Sequence, residues 1–183
     1  MCALPVSVHA VNSKDKVLAP KTKLEQFSTR TGMVIVQGYE EIGLIVGLND
    51  TFVRVIAKEF AYANSGKKEH GIQIEVIEKK GRYDKERRSF VDYNEIESLI
   101  NSIEYILKVN KSVTKFRSFE VDYITKGGLE VSTFSTISLG APPIQAAITS
   151  GKIGGITLIC SIEELSNFCN LIKMAKKKID TSK

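Results

Sequence analysis

The sequence predicts an α+β fold in which a ββββα unit occurs twice, as antiparallel sheets with one helix after each four-strand series. Two segments with helical spacing of apolar residues lie near 91–109 and 160–179, and each follows a series of strand-like runs. No long linker separates the two series. We therefore expect residues 24–180 to form a single domain of two ββββα halves, at about 32–109 and 115–179.

The first strand series is expected to open within Phe27–Gly47. Met33–Val36 is a short apolar run there, and apolar residues alternate with small ones from Ile42 to Val46. The next runs are Thr51–Tyr62, Gly71–Lys79 and Arg87–Val91. Asn49-Asp50 and Lys80-Gly81-Arg82, which lie between runs, are typical of turns.

The helix that ends the first half is predicted from one apolar stripe. Asp92 is the expected N-cap, and Glu95 occupies the position from which a capping-box carboxylate bonds back to the cap. The stripe comprises Ile96, Leu99, Ile100, Ile103, Ile106 and Leu107. A helix with one apolar face is marginal alone in water, so we expect it to lie against a sheet.

The second half repeats this order. Strand-like runs are expected from Phe116 to Tyr123 and at Leu129–Ser135, Ile144–Ile148 and Ile153–Cys160, with a loop at 138–143. Gly127-Gly128 is a hairpin signal, because glycine adopts positive φ without steric cost. Ser161 is the expected N-cap of the last helix, whose stripe is Leu165, Phe168, Cys169, Ile172, Ala175 and Ile179. The two sheets are expected to pack together, or to form one shared curved sheet, with the helices covering apolar faces.

The composition is that of a globular protein. Of the 183 residues, 43% are hydrophobic and 26% are charged, and the net charge of +5 permits an acidic partner without requiring one. No run of about 18 apolar residues occurs, so no transmembrane helix is predicted. Cys2, Cys160 and Cys169 are odd in number and lack C-x-x-C spacing, which argues against a disulfide framework or a zinc site.

Residues 1–23 are expected to be a flexible N-terminal segment. Val8-His9-Ala10 fits the small-residue pattern of a signal-peptide cleavage site, but the basic and long apolar regions of a signal peptide are missing. If residues 1–10 are the end of a truncated signal peptide, the protein is exported to the periplasm or the exterior. Otherwise it is cytoplasmic.

Three stretches resemble small uncharacterised bacterial proteins, several of them exported. They are Lys21–Glu25, Phe90–Ile106 with its V-D-Y-N-E-I-E-S-L start, and Tyr123–Phe134. This resemblance implies no particular activity. In element order alone, the chain resembles the Whirly and PUR families, which bind single-stranded nucleic acid, although it lacks the K-G-K-A-A-L run of Whirly proteins.

The sequence contains no motif of a catalytic or cofactor site. Its histidines are His9, in the N-terminal segment, and His70, which we expect in a solvated loop. No G-x-S-x-G, H-E-x-x-H or Walker A motif occurs, and the glycine-rich stretch Gly151–Gly155 lies between strands rather than before a helix. We therefore predict no catalytic residue, no cofactor and no metal, and a protein that is not an enzyme.

A basic stretch and an aromatic strand face indicate one candidate binding site. Residues 79–88 carry six basic side chains, and one face of the Thr51–Tyr62 run interleaves aromatic rings with cations. Single-strand binders need such a stacking platform beside phosphate-attracting charges. The predicted nucleic-acid site comprises Arg54, Lys58, Tyr62, Lys79, Lys80, Arg82, Arg87 and Arg88. The alternative interpretation is a solvated hairpin tip with the aromatic rings in the core.

The leading functional prediction is a non-catalytic binding or interaction module with an unidentified protein or small-ligand partner. The alternative is a sequence-tolerant single-stranded nucleic-acid-binding protein, and the third is a small-molecule or lipid-pocket protein. Exposure of the Phe52–Tyr62 face would favour nucleic acid, whereas a helix covering that face would remove the platform. Edge strands allow copies of the chain to pair, but the sequence leaves the oligomeric state open.

Overall fold

The computed structural model describes residues 22–137, 143–151 and 154–183 and confirms the duplicated ββββα arrangement. The first half comprises α1 (Lys23–Ser28), β1 (Ile35–Val46), β2 (Thr51–Tyr62), β3 (Lys68–Lys80), β4 (Tyr83–Asp92) and α2 (Tyr93–Ile106). After a short 3₁₀ turn at Lys111–Val113, the second half comprises β5 (Glu120–Ile124), β6 (Leu129–Ser135), β7 (Ile144–Ser150), β8 (Ile156–Cys160) and α3 (Ile162–Ser182). Residues 1–21 of the predicted N-terminal segment and 138–142 of the predicted loop lie outside the described residues.

Each half forms its own four-stranded antiparallel sheet. The strand orders are β1-β2-β3-β4 and β5-β6-β7-β8, so every strand pairs with its neighbour in sequence. β3 and β4 extend beyond the predicted runs. Pairing with Ala61 of β2 holds Lys68 at the start of β3, and pairing with Lys80 across the hairpin holds Tyr83 at the start of β4. This hairpin carries the basic stretch 79–88 at its tip.

One hydrophobic core joins the two halves. It contains the inner faces of both sheets and the apolar stripes of α2 and α3, which also pack against each other. The α3 stripe is buried at all six predicted residues, and the α2 stripe is buried from Ile96 to Ile106 with Leu107 partly buried. The helices therefore do what their patterns predict, since each stripe is covered by a sheet.

The cap predicted for α2 is wrong in its bonds, although Asp92 does occupy the N-cap position. The Asp92 side chain makes no hydrogen bond to α2 and instead accepts from the backbone N–H groups of Lys23 (2.9 Å) and Leu24 (3.2 Å) in α1. Glu95 accepts from the backbone N–H of Lys126 at 2.8 Å. Both carboxylates therefore accept hydrogen bonds from backbone donors that the tertiary fold brings near, instead of from the first turn of α2. At α3, by contrast, the predicted cap is confirmed, because Ser161 accepts from the N–H of Glu164 at 3.1 Å.

Helix α1 was not predicted. Thr22 caps it and forms a capping box with Glu25, so residues 22 and 23 begin a helix rather than continue the expected flexible segment. Phe27, which we expected to open a strand series, lies in α1, and it is buried together with Leu24 against Phe60 of β2. Six residues are too few for a helical repeat to stand out in a sequence.

We predict that Asp92→Ala will lower the free energy of unfolding by about 2 kcal/mol, because hydrogen bonds to a charged group contribute roughly 1.5–3 kcal/mol. Urea unfolding followed by circular dichroism measures this. The matched control is Asp84→Ala, which removes an exposed carboxylate from the same strand. Equal unfolding midpoints for the two variants would show that Asp92 does not hold α1.

Candidate interaction surface

The face of the first sheet that points away from the core, here called the outer face, is covered at one end and open at the other. Along β2 it carries Phe52, Arg54, Ile56, Lys58, Phe60 and Tyr62. α1 lies over the end that holds Phe60 and Tyr62. This helix divides the predicted stacking platform, because only the half around Arg54 and Lys58 stays partly accessible.

At the covered end, Tyr62 is not available to stack on a base. Its side chain is 3% exposed, and its ring stacks on Phe27 with a centroid separation of 3.8 Å and an interplanar angle of 9°. Arg30 lies over the same ring at 5.4 Å. The aromatic residues at this end therefore form a small satellite core between α1 and the sheet.

At the open end, the cations surround a buried carboxylate. Glu75 of β3 is only 4% exposed, and it lies between Arg54 of β2 and Arg88 of β4. Its two oxygens lie 3.0 Å from Arg54 Nη1 and 3.2 Å from Arg88 Nε. Gln73 donates a further hydrogen bond to Glu75 at 2.5 Å. The two guanidinium groups thus neutralise Glu75 instead of standing as uncompensated charges.

Other residues of the predicted nucleic-acid site also have partners within the chain. Lys58 lies over the rings of Tyr39 (5.1 Å) and Phe60 (5.8 Å), and burial lowers the pKa of its ammonium group despite the opposing attraction of Glu75. Lys79 lies over Phe52 at 5.1 Å. The surface cations here are therefore held against aromatic rings of the same sheet.

The remaining three predicted residues lie on the β3–β4 hairpin. Lys80 pairs with Glu78 at 3.0 Å, and Arg87 turns toward the second half and donates to the Gly154 carbonyl at 3.0 Å. Arg82 is exposed at the tip beside Tyr83, whose side chain is 81% exposed. The structure thus brings Arg54, Lys58 and Arg88 together around Glu75 and places Lys79, Lys80 and Arg82 in a separate group at the hairpin tip.

The feature that the sequence analysis missed is the free edge of β1. Among the described residues, seven of the fourteen exposed large hydrophobic side chains lie within residues 33–48. They are Met33, Val34, Val36, Tyr39, Leu44, Val46 and Leu48. The alternating apolar pattern of this segment predicted a strand but not its position, and only that position at the end of the sheet leaves both sets of side chains exposed.

The two acidic residues of β1 are neutralised by the same chain. Glu40 accepts from Lys178 Nζ of α3 at 2.7 Å, and the Glu41 carboxylate lies 3.2 Å from Arg54 Nε. Charged side chains on an edge strand normally discourage pairing with another strand. Here each carboxylate has a cationic partner over one face of the sheet, and the other exposed side chains of the strand are largely apolar.

A histidine–carboxylate pair lies near the same edge. His70 lies within β3 rather than in the predicted solvated loop, because pairing with β2 extends this strand back to Lys68. Its Nε2 is 2.8 Å from Glu59 Oε2, in an open groove of about 240 Å³. The Lys68 ammonium, and secondarily His70, hold the pKa of Glu59 below its usual range. Neither cysteine of the described residues lies beside this pair, since Cys160 and Cys169 are in the core, and burial raises the pKa of Cys160 to about 12.

No family model, curated protein or solved structure matched this chain. Within residues 22–137, 143–151 and 154–183, no three or more histidine, cysteine or acidic side chains form a group able to hold a metal ion. The same ranges hold no helix that is long and apolar enough to cross a membrane.

We predict that Glu75→Gln will lower the free energy of unfolding by about 1–2 kcal/mol. Removing one partner of a buried ion pair costs roughly 3–5 kcal/mol, but both arginine side chains here are more than a third exposed and solvent reduces that cost. Urea unfolding of Glu86→Gln is the matched control. Glu86 pairs with Arg88 at the surface, so its loss should cost less than about 1 kcal/mol. A larger loss of unfolding free energy in Glu86→Gln than in Glu75→Gln would show that the buried Glu75 does not hold the two arginines together.

Proposed function

We propose that this protein is a non-catalytic interaction module that binds an extended polypeptide segment along the free edge of β1. The concentration of exposed hydrophobic side chains on this strand and on the residues that flank it carries the proposal. An edge strand offers an unpaired row of backbone N–H and C=O groups, and an added strand satisfies them while alternate side chains supply selectivity.

The other sheet edges are less suited to strand addition. α1 and strands of the second sheet pack against β4. At the β8 edge of the second sheet, the N–H of Leu48 donates to the Ile159 carbonyl at 2.9 Å and occupies part of the edge. β5 has only five residues and exposes Glu120 and Asp122. β1 combines twelve residues, carboxylates that have cationic partners and exposed apolar side chains on both faces.

The open grooves near β1 are weaker candidates for a small-ligand site. The groove beside His70 is lined by ion-paired residues such as Glu59, Lys68 and Lys178. Binding pockets for small molecules are largely apolar and enclose most of the ligand surface. A strand laid along β1 would cover this groove from one side, which favours the interaction module over the pocket protein.

The test is selection of random peptides as long as β1 from a display library, followed by measurement of their affinity. We expect selected peptides to alternate apolar residues, and Val36→Lys to weaken their binding at least about tenfold, because the new ammonium group would lie against the added strand. Val36 is 56% exposed, so this substitution leaves the core intact.

The matched control is Ile124→Lys on β5, where the side chain is 59% exposed on an edge strand of the second sheet. Its affinity for the selected peptides should equal that of the wild type. Equal loss in both variants, or no loss in Val36→Lys, would rule out β1 as the binding edge.

Single-stranded nucleic-acid binding is the second candidate, and one observation favours it. The β3–β4 tip presents Lys79, Lys80 and Arg82 next to the exposed ring of Tyr83, which combines phosphate-attracting charge with a stacking surface. Nearby Glu78 and Asp84 offset part of this charge, which is why strand binding at β1 remains the leading proposal.

The nucleic-acid candidate predicts that a labelled single-stranded oligonucleotide will bind at low salt and weaken as salt rises, because counterions are released on binding. Fluorescence anisotropy measures this. Arg82→Glu should reduce the affinity at least about tenfold, whereas Lys177→Glu, which reverses an exposed charge on α3, should not. Absence of binding at low salt, or equal effects of the two reversals, would exclude the tip as a site.

A further inference from the structure

We propose that the strand accepted by β1 is β1 of a second copy, so that two first sheets join edge to edge into one antiparallel eight-stranded sheet with two-fold symmetry. This inference rests on the proposed function and names the partner for the same edge. It follows from the charge, the geometry and the sequence of β1.

The charge of β1 points to a partner that brings no compensating charge. Lys178 and Arg54 already neutralise Glu40 and Glu41 from the same chain. A foreign strand selected by electrostatics would need unpaired charge to recognise, and this edge offers none. The edge of β1 therefore favours a strand that has exposed apolar side chains and no unpaired charge. A second copy of β1 has both properties.

The geometry places the pairing in the first part of the strand. The register of β1 against β2 shifts between Glu41 and Gly43, which bends the strand there. Beyond Val46, the Leu48 N–H bonds to β8, so a neighbouring element already lies at that end. The section Ile35–Glu41, whose register with β2 is uninterrupted, remains free for a new strand.

The sequence of this section permits self-pairing without opposing charges. A two-fold axis near Gln37 places Ile35 opposite Tyr39 and Val36 opposite Gly38. Glu40 then faces Val34 of the other copy, and no two glutamates are opposed. Such an isologous contact closes on itself and forms a dimer instead of a fibre.

The interface is small for a permanent dimer. Stable interfaces bury roughly 800 Å² per partner, and a single pair of strands supplies less. We therefore expect a reversible dimer with a dissociation constant on the order of 10 μM.

Sedimentation equilibrium tests the association. The wild-type chain and the Ile124→Lys control should dimerise alike, whereas Val36→Lys should weaken association at least about tenfold. A wild-type chain that stays monomeric at about 100 μM would overturn the proposal. If selected peptides still bound at β1 in that case, the strand-binding function would stand and only the identity of its partner would fall.

Cysteine cross-linking tests the symmetry. In a Cys2→Ser background, single cysteines replace in turn each residue from Ile35 to Tyr39, and Ile124→Cys serves as control. Because a two-fold axis brings only the residue on it next to its own copy, oxidation should link chains efficiently near Gln37 and not at Ile124. Dimers that form in sedimentation but cross-link at Ile124, or at no residue of β1, would place the contact elsewhere and overturn the proposal.

Discussion

The burial of two apolar helix stripes between two sheets is the constraint on which this structure depends. Most of the stability of an amphipathic helix comes from tertiary packing, so the apolar stripes of α2 and α3 each require an apolar sheet face. Because both helices pack into one core, the inner faces of both sheets are committed to it. The first sheet therefore turns its remaining face away from the core, and β1 lies at the edge of that sheet.

On the outer face, ion pairs between neighbouring strands balance the charged side chains. Glu75 is buried between Arg54 and Arg88, and its loss would leave two guanidinium groups facing each other across β3. Arg54 and Arg88, which the sequence pattern assigned to phosphate binding, are therefore part of a cross-strand ion-pair network. Recognition of an anion at the open end would require breaking these pairs. At the hairpin tip the Lys80–Glu78 pair would have to open, while Arg82 is already exposed.

The edge of β1, unlike the other sheet edges, is left open to another strand. Natural sheets protect their edges with charge, brevity or cover, and the edges of β4, β5 and β8 each have one of these protections. β1 has acidic residues in the right place, but the chain neutralises both with Lys178 and Arg54. An edge strand with paired carboxylates and exposed apolar side chains suits the addition of another strand. Both the peptide-binding and the self-pairing proposals follow from this property.

The sequence by itself determined the elements that a local pattern encodes. Periodicity predicts the duplicated ββββα order, the bounds of β2 and the buried stripes from Ile96 to Ile106 and from Leu165 to Ile179. The Ser161 cap depends on a partner only a few residues away. The tertiary structure decided what depends on distant partners. The Asp92 side chain accepts hydrogen bonds from α1 instead of α2, Tyr62 is buried under Phe27, and Arg54 pairs with Glu75, because folding brings together groups that are far apart along the chain. The exposure of β1 belongs to the same class, since the alternation of apolar residues marks a strand but carries no information about which strand ends the sheet.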